Sequence, residues 1–497
     1  MRLRELLNDV EYTLVQGDLD IEVSDIAYNS KNVKDGVAFL AMKGFRVDGH
    51  NYIENAIENG AKCLIVEDDV EVSDDITVVK LTDTRTDLSK LSRTLFRYPD
   101  EEMTTIAITG TKGKTTVSTM IKKILDDSGK PAGLIGTMGV FYKDKYYHTV
   151  NTSPESYDVF KYMREMLDNG VEHLVMEVSS QSLKLNRWIN VMFDYAIFTN
   201  LSLDHVGEDE HESFEDYKYC KSKLFKQCKV GLFNVDSEYY GDMTYDTNCD
   251  KYTFGYNEDA DYIIKDVHNV MESGFVGIEM NTSGKIENSF KVSIPGKFTA
   301  YNAMAAIGLC DILGIGIDNI KKSLETVSVK GRMESIKISN RFSLLIDYAY
   351  QGIAMENVLS TMKEANPKRI VTVFGCGGNR SRQRRFDCGE VSGKYADLSI
   401  LTADNPRYED NEKIIKDILV GMEKTDGEYI IVPDRRDAIR KSIVDSKEGD
   451  VILILGKGHE DYQEINGVRY PFDERVIIKE IVDSLSEEEK KRLSIII

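Results

Sequence analysis

A chain of 497 residues with 41% hydrophobic and 30% charged residues is too long for one hydrophobic core, so we expect a soluble globular protein of roughly two to four domains. The formal net charge of −21 argues against general nucleic-acid binding, which needs a basic face. No run of about 18 apolar residues occurs, which excludes a membrane-spanning helix.

The N-terminal residues turn acidic at once and lack the apolar core of a signal peptide, which predicts a cytoplasmic protein. Seven cysteines are scattered along the chain, and none forms a CxxC pair with another. We interpret them as reduced, mostly buried thiols that form neither a disulfide framework nor a zinc site.

The predicted first domain, residues 1–99, carries short strands and helices of its own. Residues 37–41 and 63–66 are apolar runs typical of buried strands, and residues 53–59 predict a helix. Residues 97–100 are the expected linker to the next domain.

The predicted second domain, residues 100–330, alternates strand and helix as a doubly wound parallel sheet does. Strands are predicted at residues 106–109, 173–178 and 195–199. Between residues 252 and 294 the pattern changes to alternating segments with Gly and Asn turns, which predicts a small inserted antiparallel sheet.

The predicted third domain, residues 331–497, is another α/β unit. Its buried parallel strands are expected at residues 342–346, 370–374, 398–401 and 451–455. The predicted fold class is therefore α/β, with a small N-terminal α/β domain, a central phosphate-loop domain built on a doubly wound parallel sheet, and a Rossmann-like C-terminal α/β domain.

The most informative motif is a glycine-rich turn between a predicted strand and a predicted helix. Such a turn directs backbone N–H groups toward a phosphate at the helix N-terminus. Lys114 would reach the terminal phosphates, and the Thr115 hydroxyl would ligate Mg²⁺. The chain is therefore predicted to bind a nucleoside triphosphate through the residues of this turn, Gly110, Thr111, Lys112, Gly113, Lys114, Thr115 and Thr116.

Two further strand ends carry possible metal ligands. Glu177, in Met-Glu-Val-Ser-Ser, offers the hard oxygen that Mg²⁺ prefers, and the phosphate loop upstream favours this role over capping of the next helix. His205 ends the string Thr-Asn-Leu-Ser-Leu-Asp-His and could ligate a metal through a ring nitrogen. A lone histidine is more often structural, and the surrounding string is what favours a ligand.

Two turns after strands of the third domain predict an amino-acid site. Arg407, in Asp-Asn-Pro-Arg, can grip a carboxylate with two parallel hydrogen bonds. Glu460, in Gly-Lys-Gly-His-Glu, can accept hydrogen bonds from an ammonium group. A diamino-diacid needs both kinds of partner at its far end. The alternative is that both are surface turns with solvated charges.

These motifs occur in an order that resembles the Mur ligase family over essentially the whole chain. The order is the compact phosphate loop, Met-Glu-Val-Ser-Ser, Thr-Asn-Leu-Ser-x-Asp-His, and Asp-Tyr-x-x-x-Lys-x-x-Leu-Phe, whose lysine is Lys221. Members of this family use ATP to activate a carboxylate as an acyl phosphate, which an amine then attacks. The resemblance implies an ATP-dependent, ADP-forming ligase that uses ATP and Mg²⁺.

Within the family, the resemblance is greatest to the members that add the third peptide residue of the bacterial wall precursor. It implies transfer of meso-diaminopimelate to UDP-N-acetylmuramoyl-L-Ala-D-Glu in peptidoglycan synthesis. The implied partners are small-molecule substrates, with no nucleic acid and no membrane span, and we expect a monomer.

The same resemblance implies roles for individual residues. The implied catalytic residues are Lys114, Glu177, His205 and Lys221, and the metal ligands are Thr115, Glu177, His205 and a carbamylated Lys221. Beyond the loop, ATP is expected to contact Asn302, Arg332 and Asp347. The UDP-substrate is expected to contact Ser30, Asn151, Thr152, Ser153, Ser179 and Arg187. The amino acid is expected to contact Arg380, Asn405, Arg407, Gly456 and Glu460.

The chain departs from the family pattern at identifiable places. Gln181 stands where the family usually has His, and residues 350–353 read Tyr-Gln-Gly-Ile in place of His-Thr-Pro-Asp. Such departures indicate a divergent paralogue with an altered acceptor or amine. Two alternatives therefore stay open: a related ligase that joins another acceptor and amine in secondary metabolism, and a non-catalytic nucleotide-binding regulator.

Overall fold

The computed structural model describes residues 1–44, 47–203, 207, 211–272 and 275–496. The chain divides into two compact units, Met1–Thr253 and Phe254–Ile497. Within the described ranges, no helix has both the length and the apolar character needed to cross a membrane. The three domain boundaries expected from the sequence stay predictions.

The N-terminal part of the first unit alternates short strands and helices. Its elements are α1 (Leu3–Leu6), β1 (Thr13–Gln16), β2 (Asp25–Ala27), β3 (Val37–Leu40), α2 (Ile53–Glu58), β4 (Cys63–Val66), β5 (Thr77–Lys80), α3 (Thr84–Leu95) and α4 (Pro99–Glu102). The sheet order is β1-β5-β4-β3-β2, parallel except for β1. Alternate residues of β3 enter two different hydrophobic clusters, so both faces of this sheet are covered, as the apolar runs predicted.

The expected linker at residues 97–100 lies inside this first unit. Arg97 and Tyr98 have φ angles of 59° and 52°. Asp100 is buried, and its carboxylate accepts two hydrogen bonds from Arg93 Nε at 3.0 and 2.9 Å. The segment is therefore a turn packed against the first unit, because the Arg93–Asp100 ion pair connects it to α3.

The rest of the first unit is built on a mostly parallel sheet. Its elements are β6 (Thr104–Thr109), α5 (Lys114–Asp127), β7 (Ala132–Gly136), β8 (Gly139–Tyr142), β9 (Lys145–Tyr147), α6 (Ser156–Asp168), β10 (His173–Glu177), α7 (Ser180–Lys184), β11 (Phe193–Phe198), α8 (Phe214–Ser222), β12 (Cys228–Asn234) and α9 (Tyr240–Thr244). The order is β12-β11-β6-β10-β7-β8-β9. Strands β12 to β7 run parallel, and β8 and β9 are antiparallel additions.

This topology brings three predicted strands together. β6 lies between β10 and β11, with Glu177 opposite Ile108 and Phe198 opposite Thr109. The carboxyl ends of the three strands therefore meet at one edge of the sheet, where parallel sheets bind ligands. The strands expected at residues 106–109, 173–178 and 195–199 are confirmed.

The second unit begins with an antiparallel insertion. Its elements are β13 (Asp250–Gly255), which enters the unit at Phe254, β14 (Tyr262–Glu272), β15 (Phe275–Gly284), β16 (Asn288–Val292), α10 (Phe298–Ile312) and α11 (Ile317–Leu324). β14, β15 and β16 pair antiparallel. The antiparallel pairing predicted between residues 252 and 294 is thus confirmed. The expectation of a separate small sheet is wrong, because β13 adds a parallel pairing with β14 and the strands are part of a larger sheet. Ten of the fifteen residues of α10 are buried, because its sequence is apolar or small on almost every side.

The remaining elements comprise a second parallel sheet with its helices, and a separate antiparallel pair formed by the last two strands. They are β17 (Glu334–Ser335), β18 (Ser343–Asp347), α12 (Gly352–Glu364), β19 (Arg369–Phe374), α13 (Arg382–Tyr395), β20 (Leu398–Leu401), α14 (Asn411–Met422), β21 (Tyr429–Ile431), α15 (Arg435–Val444), β22 (Asp450–Leu455), β23 (Tyr462–Ile465), β24 (Val468–Pro471), α16 (Glu474–Asp483) and α17 (Glu487–Leu493). The sheet order is β17-β18-β22-β19-β20-β21, parallel apart from β17. All six residues of β22 are buried, as expected of a central parallel strand.

Candidate active site

The glycine-rich turn joins β6 to the first turn of α5. Gly110 has φ of 149° and Gly113 has φ of 89°. A Cβ atom at Gly110 would lie 2.0 Å from Thr199 Oγ1, so no side chain fits there. The turn therefore requires glycine both for its backbone conformation and for its contact with the neighbouring strand end.

The residues that follow β11 form hydrogen bonds with this turn. Asn200 pairs its side-chain amide with the backbone of Lys112, with Lys112 N donating to Oδ1 and Nδ2 donating to Lys112 O, both at 3.0 Å. Thr199 Oγ1 donates to Lys112 O at 2.7 Å. The Thr-Asn pair that precedes His205 in the sequence thus shapes the phosphate loop itself.

Glu177 lies at the end of β10, where Thr115 contacts it. Thr115 Oγ1 donates to Glu177 Oε2 at 3.1 Å, and Thr137 donates to both carboxylate oxygens, from N at 3.2 Å and from Oγ1 at 3.0 Å. Glu177 is fully buried, and this burial raises its pKa although Lys114 opposes the shift. A hydroxyl and a buried carboxylate are oxygen donors of the kind that fit Mg²⁺.

Two lysines approach the same carbonyl of the turn. Lys114 Nζ donates to Gly110 O at 2.8 Å and to Thr111 O at 3.2 Å. Lys221, buried on α8, donates from Nζ to Gly110 O at 3.0 Å. The structure therefore brings Lys114, Thr115, Glu177 and Lys221 around one turn. His205 lies outside the described residues.

A network of side-chain hydrogen bonds that could not be predicted from the sequence lies beside these groups. His211 Nε2 is 2.9 Å from Ser180 Oγ, and Nδ1 is 3.0 Å from Asp216 Oδ2. Lys184 Nζ also donates to Asp216 Oδ2 at 2.8 Å, so the carboxylate is already paired with a cation. Burial lowers the pKa of His211. No local sequence signal indicated these contacts, since Ser180 lies 31 positions before His211.

The residues expected to contact the UDP-substrate are tied to the end of β10. Ser153 Oγ donates to Glu177 O at 2.9 Å and accepts from Ser179 N at 3.0 Å. Arg187 Nη1 donates to Ser153 O at 2.6 Å. Thr152 Oγ1 lies 3.0 Å from Thr137 Oγ1. Four of the five expected residues in this unit's central part therefore join one network, whereas Asn151 is exposed beside it.

Ser30 lies elsewhere in the first unit, at a separate cavity. The cavity measures about 590 Å³, and its lining includes Tyr28, Lys31, Phe39 and Asn55. Ser30 O accepts a hydrogen bond from Asn59 Nδ2 at 3.0 Å. A pocket with aromatic and amide side chains has the composition that suits a nucleoside.

The residues expected at the ATP site in the second unit lie on one strand, one loop and one helix. Asp347, at the end of β18, accepts from Met333 N at 2.7 Å and from Ala349 N at 2.8 Å, and burial raises its pKa. The guanidinium carbon of Arg332 lies 5.4 Å from the centroid of the Tyr348 ring. Asn302 is half-buried on α10.

The residues expected at the amino-acid site converge where β20 and β22 end. Asn405 Nδ2 donates to Glu460 Oε2 at 2.8 Å. Arg407 Nη1 donates to Gly378 O at 2.8 Å, and its Nε lies 3.4 Å from Glu464 Oε2. A Cβ atom at Gly377 would lie 3.4 Å from Arg407 Nη1 and 3.8 Å from Arg380 Cγ, so both arginines border the same space.

Gly456, the fifth expected residue, connects this cluster to Asp347. Its backbone N donates to Asp347 O at 3.1 Å, and its φ is 111°. A Cβ atom at Gly456 would lie 3.0 Å from Asp404 Oδ2. The position therefore favours glycine, because it must accept both a left-handed backbone and a close carboxylate.

Two buried arginines that the sequence analysis missed hold this cluster in place. Arg435 and Glu474 form a fully buried ion pair at 2.6 Å, and Arg435 also donates to Ala403 O and Leu455 O, the ends of the two strands. Arg385 is paired with Asp417 and Glu409, and it donates to Gly377 O at 3.4 Å. Their charges indicated surface residues in the sequence, and only the fold reveals their partners.

Comparisons with known proteins agree with this arrangement along the chain. Three family models match: Mur ligase family, catalytic domain (residues 22–94), Mur ligase middle domain (residues 108–310) and Mur ligase, glutamate ligase domain (residues 331–458). A UDP-N-acetylmuramoyl-L-alanyl-D-glutamate–2,6-diaminopimelate ligase from Caldanaerobacter subterraneus is 40% identical over 491 residues, covering 99% of this chain and 100% of that protein.

Two further similarities extend over most of the chain. The ligase of the same name from Aquifex aeolicus is 41% identical, covering 93% of this chain and 94% of that protein. A solved structure of a UDP-N-acetylmuramoyl-L-alanyl-D-glutamate–2,6-diaminopimelate ligase superimposes with a TM-score of 0.74 at 26% identity, covering 97% of this chain and 99% of that chain.

The phosphate loop at the edge of a parallel sheet places the protein among enzymes that bind and use a nucleoside triphosphate. The matches then define which of these it is: the chain belongs to the Mur ligase family. It is an ATP-dependent, ADP-forming ligase.

Proposed function

We propose that this ligase joins meso-diaminopimelate to UDP-N-acetylmuramoyl-L-Ala-D-Glu in peptidoglycan synthesis. The observation that carries the proposal is the amino-acid cluster, the site formed by Arg380, Asn405, Arg407, Gly456 and Glu460. In this cluster a guanidinium, an amide and a carboxylate lie together at two strand ends. Arg407 offers the fork that binds a carboxylate, and Glu460 offers an acceptor for an ammonium group. A diamino-diacid carries both groups on its far carbon.

The phosphate loop would bind ATP for the first chemical step. An oxygen of the substrate carboxylate attacks the γ-phosphorus, the bond to the β-phosphate oxygen breaks, and ADP leaves. Lys114 and the loop N–H groups stabilise the negative charge on the transferring phosphoryl group. When bound at Thr115 and Glu177, Mg²⁺ would supply further charge neutralisation, and His205 and Lys221 are proposed as additional ligands.

Carbamylation of Lys221 is part of the proposal. The ammonium groups of Lys114 and Lys221 share one carbonyl acceptor, and like charges at one acceptor repel each other. A carbamate would replace one of these cations with an oxygen anion, which both Lys114 and a hard metal ion favour. The buried position of Lys221 would protect the carbamate from solvent.

The amide bond forms in the second step. The amine of the incoming amino acid attacks the carbonyl carbon of the acyl phosphate, loses a proton, and expels inorganic phosphate. Arg407, Asn405, Glu460 and Arg380 would hold the far end of the amino acid. Ser153, Ser179, Arg187, Thr152 and Asn151 would position the muramoyl dipeptide, and the cavity at Ser30 would bind its uridine.

The proposal is tested by incubating the protein with ATP, Mg²⁺, UDP-N-acetylmuramoyl-L-Ala-D-Glu and single amino acids. We expect phosphate release and a tripeptide product with meso-diaminopimelate, and far less of both with L-lysine. Lys114→Ala should abolish the product. Lys123→Ala, which changes a half-buried lysine of the same helix that pairs with Asp127, should not. No phosphate release with any amino acid tested would favour a ligase that uses a different acceptor. Tight ATP binding without turnover on any acceptor would favour a non-catalytic role.

A further inference from the structure

Lys457 is a lysine that the fold buries completely. Its side chain has 0% relative exposure, one residue after Gly456 at the end of β22. An ammonium group removed from water costs several kcal/mol unless charged or polar partners replace the water. Lys457 therefore needs partners, and the structure provides two of them from the amino-acid cluster.

The hydrogen-bond partners of Lys457 among the described residues are Asn405 and Glu460, and its Nζ also lies 5.5 Å from the centroid of the Tyr462 ring. Lys457 Nζ donates to Asn405 Oδ1 at 3.1 Å and to Glu460 Oε2 at 3.2 Å. Asn405 Nδ2 donates to the same Glu460 oxygen at 2.8 Å. The three side chains thus close a triangle in which each contacts the other two.

This triangle fixes the direction of the Asn405 amide. An ammonium group can only donate hydrogen bonds, so Asn405 must turn its oxygen toward Lys457 and its NH₂ toward Glu460. Glu464 N also donates to Asn405 Oδ1 at 2.9 Å, which reinforces the same orientation. A reversed amide would place N–H donors against each other and would remove the Asn405 hydrogen bond from Glu460.

The triangle also decides which oxygen of Glu460 is available. Oε2 receives both hydrogen bonds, and among the residues that the structure describes no hydrogen bond to Oε1 is found. The Glu460 side chain retains 17% exposure, so Oε1 can reach a ligand. A carboxylate held by one oxygen presents the other in a defined direction, which is the arrangement that receives an ammonium group.

We infer that Lys457 is a positioning residue for the amino-acid substrate: it does not touch the substrate, but it holds Glu460 and Asn405 in the orientation that accepts the ammonium group of a zwitterionic carbon. This inference rests on the proposed function, because it takes Glu460 as the acceptor. It adds a residue whose role depends on the Glu460 carboxylate and is lost when that carboxylate is removed.

The test is a double-mutant cycle with the full-length protein in the ligase reaction. Lys457→Met keeps the apolar stem and removes the ammonium group. We expect the KM for meso-diaminopimelate to rise about tenfold or more, since hydrogen bonds to charged groups contribute about 1.5–3 kcal/mol. The KM values for ATP and for the UDP-substrate should stay at wild-type level, which shows that the protein is folded.

The decisive comparison uses Glu460→Gln as the second variant. If Lys457 acts through Glu460, adding Lys457→Met to Glu460→Gln should change the KM for the amino acid by less than about twofold. Lys424→Met is the matched control, since Lys424 pairs with Glu390 on the surface of the same unit and should leave every KM unchanged. Lys457→Gln, which keeps a donor, should lie between the wild type and Lys457→Met.

Two results would overturn the inference. One is a wild-type KM in Lys457→Met, and the other is a full additive effect of Lys457→Met in the Glu460→Gln background. If Lys457→Met does not fold, the same comparison is made with Lys457→Gln. Failure of the proposed function can be distinguished from failure of this inference, because the wild type would then form no product with meso-diaminopimelate. In that case the double-mutant cycle is run with the amino acid that the wild type does use.

Discussion

Lys114 and Lys221, which are 107 positions apart in the chain, donate to the same oxygen, Gly110 O, at 2.8 and 3.0 Å. The first lysine begins the helix after the phosphate loop, and the second lies near the end of α8. This shared acceptor brings Lys221, the residue proposed to be carbamylated, into contact with the loop that is proposed to hold the phosphates. The central chemistry of the account depends on this contact.

Carbamylation of Lys221 is expected to be directly observable. Protein equilibrated with ¹³C-bicarbonate should give a carbamate carbonyl signal in ¹³C NMR, and Lys221→Met should lack it and should form no amide product. Lys226→Met serves as the control, since Lys226 pairs with Asp246 at the surface beyond the same helix. A wild-type spectrum without that signal, recorded on active protein, would remove the carbamate from the mechanism.

Gly110→Ala is expected to destroy the phosphate loop. The new Cβ would lie 2.0 Å from Thr199 Oγ1 and would require the backbone to leave φ of 149°. We expect ATP binding to be lost, together with about 2 kcal/mol or more of stability, because strain and overpacking add. Titration calorimetry and chemical denaturation measure these two effects. Gly241→Ala, whose Cβ meets nothing within 4 Å, should bind ATP normally.

Arg435→Met is expected to destabilise the second unit by about 3–5 kcal/mol, because it leaves the fully buried Glu474 carboxylate without its cation. Denaturation in urea measures this loss. The neighbouring Arg436→Met should cost less than about 1 kcal/mol, since Arg436 pairs with Glu480 on the surface. Equal losses in the two variants would show that the buried pair has no special role.

The pH dependence of stability is expected to reflect His459. Burial lowers the pKa of His459 from 6.5 to about 4, and its ring lies 4.6 Å from that of Tyr348. Between these two pH values the unfolded chain binds more protons than the folded one, so stability rises with pH across this window and the contribution is complete above pH 6.5.

His459→Gln should therefore reduce the difference in unfolding free energy between pH 5 and pH 7. The expected reduction is about 1 kcal/mol, discounted because the ring is partly open to solvent. His148→Gln, which changes an exposed histidine, is the control and should leave the wild-type difference intact. An unchanged difference in His459→Gln would show that this histidine does not titrate as described.

The parts of the fold that could be predicted from the sequence are those with local signals. The strands that end at Thr109, Glu177 and Leu455 are apolar runs, and their ends carry Gly or polar residues, so both the strands and the adjacent site residues could be predicted. The phosphate loop could be predicted because its glycines serve a local backbone requirement.

The supporting residues could not be predicted in the same way. Arg435 pairs with Glu474, which lies 39 positions further along the chain. Lys457 donates a hydrogen bond to Asn405, which lies 52 positions earlier. A charged residue in a sequence indicates a solvated surface unless its partner is known, and only the folded sheet brings these partners together. The His211 contact with Ser180 was missed for the same reason.

The most direct test of the central claim follows oxygen atoms through the reaction. UDP-N-acetylmuramoyl-L-Ala-D-Glu labelled with ¹⁸O in the reacting carboxylate is incubated with ATP, Mg²⁺ and meso-diaminopimelate, and the released phosphate is analysed by mass spectrometry. Activation as an acyl phosphate predicts one ¹⁸O atom in each phosphate released. Unlabelled phosphate accompanied by tripeptide product would contradict the account, because the carboxylate would not have attacked the γ-phosphorus.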